Sequence, residues 1–238
     1  MATIVLVHGA WGGAHGFRHV RKLLRAEGHE VFTPSLTGIG ERVHLANPLV
    51  DLGTHIRDVV HHILYEDLDQ ITLVGFSYGG FVVTGALEHI AERVKHLVYL
   101  DAFVPGNGDS VASLVRGEGR RRIELGQDWQ VDGPVRDYDS PAEAQWMGVR
   151  RTAHPARCFT EPVYLARDLE SFPFTRTYIK AARSPEDDLG DAAFRRAARH
   201  ASSSPAWDYF EIDSNHMIAS NKPQETARLL ARIATGRS

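Results

Sequence analysis

The pentapeptide Gly75-Phe76-Ser77-Tyr78-Gly79 leaves this chain few ways to fold. It follows an apolar run, Ile71-Thr72-Leu73-Val74, and precedes a helix-like stretch from Phe81 to Val94. A strand that becomes a helix within so few residues strains the backbone at the central serine. Side chains at the flanking glycine positions would collide, and glycine, with no Cβ, removes the collision. The Ser77 hydroxyl then stands clear of the sheet at a helix N-terminus, where free N–H groups favour negative charge. That is the placement of a nucleophile; an ordinary glycine-rich turn is the competing reading.

Strand and helix signals alternate on either side of this turn. Thr3 to Val7 is a β-rich run ending before Gly9, and Phe17, Val20, Leu23 and Leu24 recur at helical spacing until Gly28. Glu30-Val31-Phe32 predicts a short strand, and Pro34 to Pro48 a loop. Ile56, Val59, Val60, Ile63 and Leu64 mark a helix, and His96 to Leu100 a buried strand. Thr177 to Ile179 and Trp207 to Ile212 predict two more strands, separated by a helix around Ala192 to Arg199. Gln224 to Ile233 closes the chain as a helix. Apolar strands alternating with amphipathic helices imply the α/β class, a mostly parallel sheet with helices on both faces. With 238 residues, 43% of them apolar, one domain over 1–238 is the natural division.

Residues 105–173 break the alternation. They are rich in Arg, Pro and Gly and include Trp129, Trp146 and Phe159. An insertion after the strand ending near Leu100 would lie over the carboxyl ends of the strands, where ligands bind in such sheets. The segment is therefore expected to be a helical cap.

A net charge of −3 with both signs interspersed gives no nucleic-acid surface. The cluster Arg116, Arg120, Arg121 and Arg122 is expected on a solvated face. The single cysteine, Cys158, excludes an internal disulfide and fits a reducing compartment. No apolar run is long enough to cross a bilayer, and Met1 to Ala10 lacks the basic start of a signal peptide. A cytoplasmic protein with no nucleic-acid or membrane partner is expected, with a homodimer left open.

A serine hydroxyl needs a base to take its proton. His216 lies just after the last strand, in Asp213-Ser214-Asn215-His216-Met217, and completes the chain order nucleophile, acid, histidine. His44 and His55 precede Ser77 and break that order. His8 is expected to shape its own loop. The acid should end a strand between Ser77 and His216, where it fixes the imidazole tautomer. Asp101 directly follows one strand; Glu186 and Asp187 follow the next, where helix N-terminal charge explains them equally well. Two N–H donors should await the oxyanion, one from Tyr78 and one from Ala10 in the loop after the first strand. Trp11, Phe76, Phe103, Trp129, Trp146 and Met217 are the expected pocket surface.

Val7-His8-Gly9-Ala10, Gly75 to Gly80, Tyr99-Leu100-Asp101-Ala102-Phe103-Val104-Pro105 and His216-Met217 together resemble the α/β-hydrolase branch of plant methylesterases and hydroxynitrile lyases. Leu36 to Arg42 and Thr54 to Val59 are closer still to its bacterial esterase-like members. The resemblance implies an α/β-hydrolase fold with a helical cap, no cofactor, no metal and a small ester substrate. It assigns Ser77 and His216 as nucleophile and base, with Ala10 and Tyr78 as oxyanion donors. Plant methylesterases carry their acid one strand later, near Ser184 here, so Asp101 takes the position that certain lipases use. Phe76 stands where histidine is frequent. Hydroxynitrile lyases have a threonine and a lysine where this chain has Gly9 and Met217, which favours ester hydrolysis. Lyase, lactone or thioester chemistry on the same residues, or a slow hydrolase-fold receptor, are the alternatives.

Overall fold

The computed structural model describes residues 1–115, 129–183 and 190–236. Its main elements are β1 (Thr3–Val7), α1 (Arg18–Ala26), β2 (Glu30–Phe32), α2 (Leu52–Tyr65), β3 (Ile71–Phe76), α3 (Gly79–Ile90) and β4 (Val94–Leu100). After β4 come α4 (Val111–Leu114), β5 (Gln130–Val131), α5 (Pro141–Gly148), β6 (His154–Pro155) and α6 (Arg157–Thr160). The chain then returns through β7 (Thr175–Ala181), α7 (Asp191–Ser203), β8 (Asp208–Ile212), α8 (Ile218–Asn221) and α9 (Pro223–Thr235).

The main sheet runs β2-β1-β3-β4-β7-β8, and every neighbouring pair in it is parallel. Successive side chains leave a strand on opposite faces. Val5, Val7, Leu73, Leu97, Tyr99 and Tyr178 accordingly enter one core with residues of α2, α3 and α7. Ile4, Leu6, Val74, Val98, Leu100 and Ile179 enter a second core with α1 and α9. Both faces are buried, which is why the strands read as continuous apolar runs rather than alternating ones.

The chain steps from β1 outward to β2 and then back across β1 to β3. The strand order reverses there, so the loops leaving β1 and β3 diverge and open a crevice at their carboxyl ends. His8 to Gly13 and Ser77 sit at that crevice.

Two boundaries differ from the sequence reading. The helix after Ser77 begins at Gly79 and stops at Ile90; a short 3-10 turn follows, and Val94 already pairs with Ile71 in β4. The 105–173 segment, expected without strands, holds a two-residue antiparallel pair in which Gln130 meets Pro155 and Val131 meets His154. The arginine cluster at 116–122 lies outside the described residues. Among the described residues no helix is long and apolar enough to cross a membrane.

Candidate active site

Ser77 occupies the step from β3 into α3 with a φ of 56°. Glycine is required on both sides of it. A Cβ on Gly75 would stand 2.7 Å from Val83 Cγ2, and one on Gly79 would stand 2.6 Å from the Val7 carbonyl oxygen. The Ser77 N–H donates to Leu100 O at 3.3 Å, and its own carbonyl accepts from Gly80 and Phe103.

His216 arrives from the far side. It lies beyond β8, the edge strand, on a loop that crosses back over β7 and β4. Its Nε2 is 2.9 Å from Ser77 Oγ, and its Nδ1 is 2.7 Å from Asp101 Oδ2. A carboxylate can only accept, so Nδ1 carries the proton and Nε2 is left to accept from the serine hydroxyl. The ring lies between Phe76, stacked at 4.8 Å, and Phe194, stacked at 5.3 Å.

Asp101 leaves β4 directly beside the serine turn and is fully buried. Its second oxygen, Oδ1, accepts from Lys180 Nζ at 2.8 Å and from the Ala181 N–H at 3.1 Å. Burial pushes the carboxyl up, but His216 and the Lys180 ammonium outweigh it and hold the group below its usual range. Glu186, Asp187 and Ser184 lie outside the described residues.

Among the described residues, no protein acceptor takes the N–H of Ala10 or of Tyr78. The β1 loop reaches the serine closely because a Cβ on Gly9 would stand 2.9 Å from Ser77 Cβ. His8 holds that loop. Its Nε2 accepts from the Leu36 N–H at 3.1 Å, so its Nδ1 donates to Gly9 O at 2.9 Å. Burial lowers the His8 imidazole to about 4.

A crevice of about 560 Å³, its open mouth included, reaches Ser77 and His216. Trp11, Phe76 and Met217 line it as expected, with Phe17 and Met147 beside them and Arg136 and Arg151 from the 105–173 segment. Three expected wall residues are elsewhere. Phe103 is buried between Phe81 and Phe194 in the core. Trp146 does not border the crevice, and the guanidinium carbons of Arg18 and Arg150 lie 3.5 and 4.0 Å from its ring. Trp129 is 37% exposed and does not border the crevice. Ring area alone does not say which way a ring points.

The Tyr78 ring also turns inward. Its hydroxyl is 3.0 Å from His55 Nδ1, and His55 Nε2 donates to Thr37 O at 2.8 Å. His55, His154 and Cys158 bring donor atoms within 4.8 Å of one another, close enough to consider a metal. Both ring nitrogens of His55 are already hydrogen-bonded, so an ion would have to break one of those bonds; the cluster packs beneath Tyr78.

Comparison with known proteins agrees with this architecture. The pattern of the alpha/beta hydrolase family matches residues 4–229. A carbendazim hydrolyzing esterase from Nocardioides sp. (strain SG-4G) is 34% identical over 98% of this chain and 100% of its own length. Among solved structures, an extracellular alpha/beta-hydrolase from a Paenibacillus species superposes with a TM-score of 0.81 at 25% identity, covering all of both chains. A methylesterase from Arabidopsis gives 0.78 at 25% identity, covering 99% of this chain and 100% of that one. The sheet, the crevice at its switch point and these matches agree: the chain belongs to the alpha/beta hydrolase family.

Proposed function

We propose that the protein is a serine carboxylic ester hydrolase that cleaves small, largely apolar or aromatic esters through an acyl-enzyme. One observation carries this reading: the line Ser77 Oγ, His216 Nε2, His216 Nδ1, Asp101 Oδ2, with contacts of 2.9 and 2.7 Å and a tautomer that leaves Nε2 basic.

His216 takes the Ser77 proton as the oxygen attacks the ester carbonyl. The charge that develops on the carbonyl oxygen is received by the Ala10 and Tyr78 N–H groups, which need no reorganisation to meet it. Asp101 stabilises the imidazolium and keeps its orientation. The alcohol departs with the proton from Nε2. Water, activated by the same nitrogen, then attacks the acyl-enzyme and frees the acid and Ser77.

Apolar walls from Trp11, Phe17, Phe76, Met147 and Met217 support an apolar acyl or alcohol part. Met217 also puts a thioether, not an ammonium, beside the base, which favours esters over cyanohydrins. Residues 105–173 act as the cap. Val131 O accepts from the Trp11 indole at 2.8 Å, and the Thr152 N–H donates to Trp11 O at 3.0 Å, so the segment is fastened to the β1 loop. The relatives named as an esterase and a methylesterase support the reaction class.

The test is a series of p-nitrophenyl esters of increasing acyl length, run beside a fluorophosphonate probe. Rapid turnover with labelling at Ser77 is expected, and Ser77→Ala should lower kcat about a million-fold. Labelling without turnover on any ester would point to a receptor instead, and near-normal activity in Ser77→Ala would remove the reading.

A further inference from the structure

β7 carries two buried cations, Arg176 and Lys180. Side chains of Arg176, Tyr178 and Lys180 alternate onto one face of this strand, between β4 and β8 in the sheet interior. Lysine is seldom buried unless paired, yet Lys180 is only 7% exposed. Its ammonium donates to Asp101 Oδ1 at 2.8 Å and to its neighbour's carbonyl, Ala181 O, at 2.9 Å, and it lies 3.8 Å from Asp191 Oδ1. Asp191, at the start of α7, is buried too and is bonded by Arg195 one turn on.

We propose that Lys180 is a positioning residue for the ester hydrolysis, holding the acid of the Ser77 site in its ionised, correctly rotated form. The proposal rests on the serine hydrolase reading and adds a residue to it. A buried carboxylate whose one oxygen faces an imidazole still has a second oxygen to satisfy. In Asp101 that oxygen meets an ammonium and one backbone N–H. The ammonium also limits how strongly Asp101 draws the proton of His216, because the carboxylate divides its charge between two cations.

Removing the ammonium leaves the imidazolium, once His216 is protonated, as the cationic partner of Asp101. The carboxylate then favours the protonated imidazole more strongly, so a higher pH is needed to free Nε2. The acid limb of kcat/KM should move upward by about one pH unit. Other charged or titratable groups face the pair from every side: His216 beyond β8, Asp191 and Arg195 from α7, Tyr178 on β7, and Tyr209 and Glu211 on β8. Arg199, Tyr209 and Glu211 border an open groove that reaches Lys180. Asp101 Oδ1 itself accepts from the Lys180 ammonium, a cation, and from the Ala181 N–H, a neutral donor.

The experiment compares wild type, Lys180→Met, Lys180→Arg and the charge-balanced pair Lys180→Met with Asp191→Asn. Each is measured for kcat, KM and the pH profile of kcat/KM on a p-nitrophenyl ester, with thermal melting to verify folding. Lys180→Met should lose about tenfold in kcat at pH 7 with KM unchanged and show the raised acid limb, and Lys180→Arg should return the limb toward wild type. The paired variant, which removes the neighbouring carboxylate as well, carries the same test if Lys180→Met does not fold. A folded variant lacking the ammonium, with the wild-type limb and kcat, overturns the proposal. Ser77→Ala is run alongside. If it is inactive while the Lys180 variants match wild type, only the positioning role has failed; if it is active, the hydrolase reading has failed first.

Discussion

Ser77, Asp101 and Trp11 hold φ angles of 56°, 41° and 61°, in the left-handed region that side chains avoid. Each costs about 1–3 kcal/mol, and each lies at the candidate site. The sheet supplies the restraint. Ser77 is fixed by bonds to Leu100, Gly80 and Phe103, and the Asp101 N–H donates to Ile179 O at 2.7 Å. The strain at Asp101 makes asparagine an informative substitution, because asparagine tolerates this conformation. Asp101→Asn should keep its backbone and lose about ten-thousand-fold in kcat, read by steady-state kinetics on folded protein, with a lowered melting midpoint because the buried Lys180 ammonium loses its carboxylate. A mild loss would return the acid to the 184–189 stretch. At this scale the sequence was legible where chain order and a short motif carry the chemistry, as at Ser77 and His216. Asp101 was legible only as one of two sites. Lys180 and Phe194 gave no local sign: one looks like a strand charge and the other like a helix core residue, and only folding brings both to the imidazole.

The elements fit through absent atoms as much as through present ones. A Cβ on Gly80 would stand 2.0 Å from Phe103 O, so α3 and the turn leaving β4 touch backbone to backbone. Gly80→Ala must push them apart, at a cost of about 1–3 kcal/mol, measured as a lower urea midpoint. Because the same turn carries Asp101, activity should fall further than stability alone would require. The main strands and helices were legible because their apolar periods extend over whole segments. The 105–173 segment was not. Among its described residues the helices are short, the ribbon has two residues a side, and the crevice contacts come from Arg136, Met147 and Arg151, each separated from Ser77 by many residues of chain. Met147 lines the crevice while its neighbour Trp146 lies between two arginines; a one-residue step around a helix decides between them, and composition does not record it.

Across the whole molecule, buried imidazoles set the response to acid. Burial lowers His8 and His55 from 6.5 to about 4, so the folded protein leaves both neutral where the unfolded chain already binds protons. Their contribution is intact above about pH 6.5 and declines as pH falls toward 4, by about 1–2 kcal/mol each between pH 7 and 5. Asp101, held low, adds its own loss at more acidic pH, as the pH falls through the range of a free carboxylate and below it. Urea unfolding at pH 7, 6 and 5 should show the decline, and a flat profile would mean these rings are not buried neutral. The exit of Asp101 from β4 matters more. Phe76 pairs with Leu100 across the β3–β4 ladder, so Ser77 and Asp101, the proposed nucleophile and acid, are the next residue on each of two adjoining strands. Their separation is therefore a property of the sheet itself, inherited from the most rigid part of the molecule. Only the His216 imidazole hangs from the periphery, so residues bordering the crevice, such as Met147 and Met217, can change without disturbing the other two.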